Sequence, residues 1–235
     1  MNLVGHVAVA TRQHGHPSPE LLVGAMLPDL GSIARVRLLP AAELARGEPA
    51  RDLAVGLALH HASDAAFHGS RWFHDHNRAL RDSLLDAGVD RGAARACAHA
   101  GLEMLLDGDL VTDPTVADAT GTALEALTVH GPTREAVAVL VAPAHRASWI
   151  ERLDRIARSL DPRAYTSASN VAVRLHRMTS GRARIELRAE HVPGVAGVLE
   201  AYRPVVVLEG ARVVEDVLAA ITGDARSTRS RGALV

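Results

Sequence analysis

The chain contains one cysteine, no lysine and only two each of Trp, Tyr and Phe among its 235 residues. The single Cys97 excludes an internal disulfide framework and any cysteine-rich zinc knuckle. With so few aromatics, the core has to be built from Ala, Val and Leu. Long runs of these without Thr or Tyr favour helix over strand. The longest apolar run, Ala136 to Ala144, is far below the ~20 residues of a membrane span. Met1 to Ala10 has no basic start, and His6 interrupts its apolar run, so it does not read as an export signal. These absences predict an all-α protein without a membrane span, located in the cytoplasm. A formal net charge of −1 argues against bulk nucleic-acid binding. There is no glycine-rich phosphate loop and no Gly-x-Ser-x-Gly elbow.

What the chain does have is 13 histidines. The most informative stretch is Gly56 to His68. On a helix, His60, Asp64 and His68 fall within about an 80° arc, one turn apart. Leu53, Gly56, Leu57 and Phe67 share that stripe, and Val55, Ala58, Ala62, Ala65 and Ala66 lie opposite. A helix that is apolar all round is expected to be buried. A carboxylate there requires a partner, a hydrogen bond or a metal. His99 and Glu103 repeat the i, i+4 spacing on a second apolar stretch, beside Leu102 and Leu106. Two such pairs resemble the inward-facing ligand sets of metal-binding helical bundles.

Along the chain, residues 2–13 form a first helix, with His6 at the edge of its apolar face. Ser18-Pro19-Glu20 starts a second. Pro28 is expected to end it at Leu27, leaving Asp29 just past the helix end. Residues 31–49 read as loop or short helices. Glu48-Pro49 opens the central helix, which ends near Gly69. Further helices are expected over Arg71–Ala87, from Asp90 to about Leu106, and from Asp113-Pro114 to near His130. Pro132–Leu160 is expected to break at Pro143, and Asp161-Pro162 begins a helix that ends at Gly181. Residues 182–191 and 194–222 also read as helical, interrupted around Pro193 and Pro204; Val205–Leu208, the one strand-like run, is read as helix. His74 and His76 read as solvated. Residues 1–222 form one all-α domain, with the metal-site half at about 1–110, and residues 223–235 form a disordered tail.

The order Met1-Asn2-x-x-x-His6, Gly24 with Asp29, and His60-x-x-x-Asp64 resembles the acyl carrier protein phosphodiesterase family over roughly residues 1–110. Pro28 stands where that family usually has Ala. His68 replaces a second Asp, and Ser70-Arg71 replaces His-Pro. Glu103 and Asp107 fall where the family has two acids four apart. A second resemblance, carried by Pro28-Asp29, His60-x-x-x-Asp64 with His68, and His99-x-x-x-Glu103, is to the zinc-dependent phospholipase C and single-strand nuclease superfamily. That superfamily is all-α, generally secreted, and holds its zinc partly through an N-terminal residue cluster.

Both resemblances imply metal-dependent hydrolysis of a phosphodiester. His6, Asp29, His60, Asp64, His68, His99 and Glu103 are the expected ligands of one to three divalent ions. Mixed His and carboxylate donors suit Zn, Mn or Fe. Asp29 and Asp64 are the candidate catalytic carboxylates, Asp29 taking a proton from water. The expected substrate is a phosphoester, one candidate being the phosphopantetheine diester of an acyl carrier protein. Such an acidic carrier would dock on Arg35, Arg37, Arg71 and Arg78. The rival readings are a metal-dependent oxygenase and a non-catalytic helical protein whose His–acid pairs are structural networks.

Overall fold

The computed structural model describes residues 1–40 and 48–232, with side chains described at 1–40 and 50–223. Among them there is no strand, and the fold is all-α. Ten α-helices run in order: α1 (Leu3–His14), α2 (Pro19–Ala34), α3 (Glu48–Gly69), α4 (Arg71–Asp86), α5 (Arg91–Leu110), α6 (Pro114–Thr128), α7 (Pro132–Ala138), α8 (Arg146–Ser159), α9 (Ala168–Thr179) and α10 (Val192–Gly232). Short 3-10 turns at Pro143–His145, Pro162–Thr166 and Ala189–His191 join the later helices. No helix of the described residues is long and apolar enough to cross a membrane. The expected tail at 223–235 lies outside the described side chains, apart from its first residue; helix α10 carries the backbone on to Gly232.

One buried apolar cluster runs from Met1 to Val217, made mainly of Leu, Val and Ala. Helix α1 is buried from Leu3 to Thr11 and lies at its centre. Its N-terminus is capped from a distance. Asn2 makes no side-chain cap bond, and the buried Asp107 of α5 accepts from Val4 N at 3.2 Å and Gly5 N at 2.9 Å. These are two of the donors a helix start leaves without partners. Burial pushes the Asp107 carboxyl up to about 7, against the pull of those two bonds.

Helices α2 and α3 pack backbone to backbone at a pair of glycines. A Cβ on Gly24 would collide with the Leu53 carbonyl, and one on Gly56 with the Leu21 carbonyl. Small residues here set how near Asp29 and His60 can come.

Several expectations are corrected. Helix α2 does not stop at Leu27 but continues through Pro28 to Ala34. Leu27, Leu30 and Gly31 are buried on both sides of the proline, and that packing outweighs the one backbone bond lost. Asp29 therefore stands inside a helix. Helix α3 is not buried all round: Ala58, Ala62 and Ala65 face solvent, where such small side chains expose little apolar surface, and Val55 is exposed as well. Residues 182–188 are not helical, and only Ala189–His191 makes a turn of 3-10 helix. Gly181, at φ 71, turns the chain away, and Leu187 N then bonds Thr179 Oγ1 at 3.1 Å. Helix α10 runs unbroken from Val192 through Pro204.

Candidate metal centre

Helices α1, α2, α3 and α5 bring the seven candidate residues into one connected set. His6 Nε2 lies 3.8 Å from Asp29 Oδ2 and 3.9 Å from Asp64 Oδ1. The His6 and His60 rings are 3.9 Å apart. Asp64 Oδ1 is 3.2 Å from His68 Nε2, which is 3.3 Å from Glu103 Oε1. His99 Nε2 is also 3.3 Å from Glu103 Oε1. Two groups have donor atoms close enough to share an ion: His6, Asp29 and His60, and His68, His99 and Glu103. Asp64 lies between them.

Each inner imidazole is held by a neighbour. His60 Nδ1 donates to the Ala25 carbonyl at 2.8 Å, which leaves the Nε2 lone pair free. That carbonyl stands three residues before Pro28. His6 Nδ1 is 2.8 Å from Ser63 Oγ, which also lies 2.8 Å from the Leu59 carbonyl. The Met1 carbonyl, 3.0 Å from His6 Nε2, can only accept, so in the metal-free fold the neutral ring carries its proton on Nε2 and donates it there, on the side that also faces Asp29. Burial holds His6 well below the ordinary range and His60 down at about 4, so both stay neutral at pH 7. Asp29 Oδ2 is buried without a hydrogen-bond partner. Burial pushes its carboxyl up to about 8. Two neutral imidazoles around an orphaned carboxylate oxygen fit a divalent cation.

The second group surrounds a feature that residue spacing did not reveal. The Met1 amino nitrogen lies 3.0 Å from Asp64 Oδ1, 3.1 Å from Glu103 Oε1 and 3.2 Å from His68 Nε2. Burial would push the Asp64 and Glu103 carboxyls up. Hydrogen bonds from His68, joined at Glu103 by His99, together with the amino-group charge, hold both well below the carboxylate range. Burial opposes the His68 cation, yet bonds to the two carboxylates hold His68 above its usual value. The His68 and His99 rings stack at 4.9 Å, with Phe73 against both. This group is open: the side chains of His99 and Asp64 are 48% and 39% exposed. The apolar stretch suggested a buried His99–Glu103 pair; Glu103 is mostly covered at 13% exposure and His99 is not.

Spacing also missed Ser63, which orients His6, while Asp107, placed four residues after Glu103, orients the start of α1. His74 is exposed and outside the set. His76 is not the solvated residue expected. Its Nδ1 is 2.5 Å from Tyr202 Oη and its Nε2 3.2 Å from Glu209, and Trp72 Nε1 donates to the same carboxylate at 2.5 Å, tying α4 to α10. Of the arginines expected to dock an acidic carrier, Arg35 and Arg37 line one cleft of about 450 Å³ with Arg152. Arg71 is paired with Asp75 at 3.2 Å.

Comparison of the chain with family models, with curated proteins and with solved structures gave no match. The functional reading therefore rests on the motifs and on this geometry.

Proposed function

We propose that this protein is a metal-dependent phosphoester hydrolase. The observation that carries the reading is the Asp29–His6–His60 group: a buried, unpartnered carboxylate oxygen beside two imidazoles that burial keeps neutral. His6, Asp29 and His60 would hold one ion, and His68, His99 and Glu103 a second, in the place that the Met1 amino group takes in this structure. Asp64, near donors of both groups, would be shared. The donor types suit Zn, Mn or Fe. When bound, divalent ions offset phosphoryl charge and acidify water.

The protein's own residues do the rest. Ala25 and Ser63 fix the two inner imidazoles. Asp107 fixes the start of α1, and with it His6, against α5 one turn from Glu103. Burial raises the Asp29 carboxyl in the metal-free fold, and it would release its proton as it joins the ion. The open side at His99 and Asp64 admits substrate. The motif order shared with the phosphodiesterase family selects phosphoryl chemistry, with the diester of an acyl carrier protein as one candidate substrate.

A second reading, a phospholipase C-like hydrolase, is favoured by one observation. A mostly apolar groove of about 600 Å³ is lined by Leu38, Leu39, Leu57 and Ala58 together with Pro28 and His61, the chain neighbours of Asp29 and His60. It would accept an apolar chain.

Protein purified without a histidine tag is expected to contain bound metal by elemental analysis. It should release chromophore from a chromogenic phosphodiester with Mn²⁺ or Zn²⁺, and not in EDTA. Turnover of that compound but not of holo-acyl carrier protein keeps the hydrolase and discards the carrier. Turnover of a short-chain phospholipid selects the second reading. No turnover by stoichiometrically loaded protein refutes hydrolysis.

A further inference from the structure

A second concave site lies at the α4–α5 hairpin, outside the metal centre. It is a cleft of about 720 Å³ lined by Arg81, Leu85, Arg91, Gly92, Arg95 and Arg184. Its volume falls within the ~300–1,000 Å³ range of small-molecule sites. Four arginines line it. Arg81 is paired with Asp82 at 2.8 Å. Among the described residues, Arg91, Arg95 and Arg184 have no carboxylate ion-pair partner. The nearby Asp90 carboxylate is taken by Arg188 at 3.0 Å. Arginines gathered in a concavity repel one another unless an anion joins them, and their planar forks match phosphate oxygens in pairs.

The gathering is built into the backbone. Gly92 lies in the first turn of α5, and a Cβ there would collide with the Arg184 carbonyl. The turn after α9 docks on that hydrogen-faced spot, and this brings Arg184, distant in sequence, to Arg91 and Arg95. Leu85 supplies a partly exposed apolar wall.

The cleft is also aligned with the metal centre. Arg91, Arg95, His99 and Glu103 follow at four-residue intervals along α5, and the first three are exposed. Each interval advances about 6 Å along the axis and only about 40° around it. One open ridge therefore leads from the arginines to the donors of the second group.

We propose that this cleft binds a phosphate group of a small-molecule ligand, and that the substrate of the metal centre carries this second phosphate away from the ester that is cleaved. The second half rests on the phosphoester reading; the first does not.

The probe is inorganic pyrophosphate, titrated calorimetrically into metal-free protein in EDTA at low salt. Saturable binding is expected, at least tenfold weaker in the Arg91→Gln/Arg184→Gln double variant and unchanged in Arg146→Gln. All three arginines are exposed, so the core is untouched, and circular dichroism checks the fold. Absence of saturable binding, or equal affinity in the double variant, overturns the site. In metal-loaded protein, the double variant should raise KM about tenfold for a diester bearing an additional phosphate, with kcat unchanged. Bis(p-nitrophenyl) phosphate should be cleaved as by the wild type. Equal KM values for both esters overturn the substrate assignment. If neither ester is cleaved while pyrophosphate still binds, the hydrolase reading and the substrate assignment fall together and the anion site stands. If a single-stranded oligonucleotide displaces pyrophosphate at a lower concentration of phosphate groups, a nucleic-acid strand replaces the small molecule and overturns the proposal.

Discussion

Asp29→Asn should stabilise the metal-free protein while removing a ligand of the proposed metal site. In the fold the carboxyl is pushed by burial from an ordinary 3.8 to about 8, and its Oδ2 has no partner. A raised folded pKa means that the native state binds more protons than the unfolded chain between pH 4 and pH 8. The wild type therefore loses stability as pH rises through that window, by up to about 1.4 kcal/mol per pH unit, and the loss levels off above pH 8. From 3.8 to pH 7 is about three units, or about 4 kcal/mol. Asparagine keeps the shape of the side chain without the ionisation. The variant should match the wild type near pH 4 and exceed it by about 4 kcal/mol at pH 7, on the order of 10 °C in Tm for a chain this long. Urea unfolding of both proteins in EDTA at pH 4.5, 7 and 8.5 measures the difference. Metal should narrow the gap: at a hundredfold excess over Kd it adds about 2.7 kcal/mol to the wild type and little to the variant, leaving the wild type about 1 kcal/mol behind at pH 7. A stability difference that does not grow with pH would refute the picture of Asp29 as an unpaired acid awaiting a cation.

Asp64→Ala should abolish metal binding in both groups, since Asp64 Oδ1 approaches His6 and His68 alike. Its side chain is 39% exposed, so the metal-free variant should stay folded and lose only about 1 kcal/mol; a much larger loss in metal-free urea unfolding would mark Asp64 as a structural anchor instead. Gly24→Ala should force α2 from α3, because its Cβ meets the Leu53 carbonyl and the Gly56 Cα at 3.0 Å. A cost of about 1–3 kcal/mol is expected, with weakened metal binding as Asp29 and His60 separate, and thermal unfolding with a metal titration checks both. Metal affinity should rise with pH up to about 8, because Asp29 must give up its proton on binding. Calorimetry in buffers of different ionisation enthalpy should register that released proton.

The motif residues were legible because helical spacing is local. His60, Asp64 and His68 share an arc whatever surrounds them, and the same holds for His99 and Glu103. Ser18-Pro19 and Asp113-Pro114 mark the starts of α2 and α6 through bonds that span two or three residues. The scarcity of aromatics and the long runs of Ala, Val and Leu without Thr or Tyr were enough to read the all-α class. Spacing cannot show which helix sides meet. Pro28 reads as a helix end, and only burial of Leu27 and Leu30 carries α2 past it. The alanines of α3 read as a buried face, although side chains that small can face water at little cost.

What the tertiary structure alone decided lies in contacts between distant residues. The Met1 amino group meets Asp64 and Glu103 across 63 and 102 positions, and Asp107 caps α1 from 102 positions away. Gly92 admits the Arg184 backbone, and His76 finds Tyr202 and Glu209 on the last helix. Residue type and order determined which histidines, carboxylates and arginines this protein has available for the proposed sites. Packing of α1, α2, α3 and α5 decided which of them face one another, because a side chain's partners are set by where its helix docks and not by its neighbours along the chain.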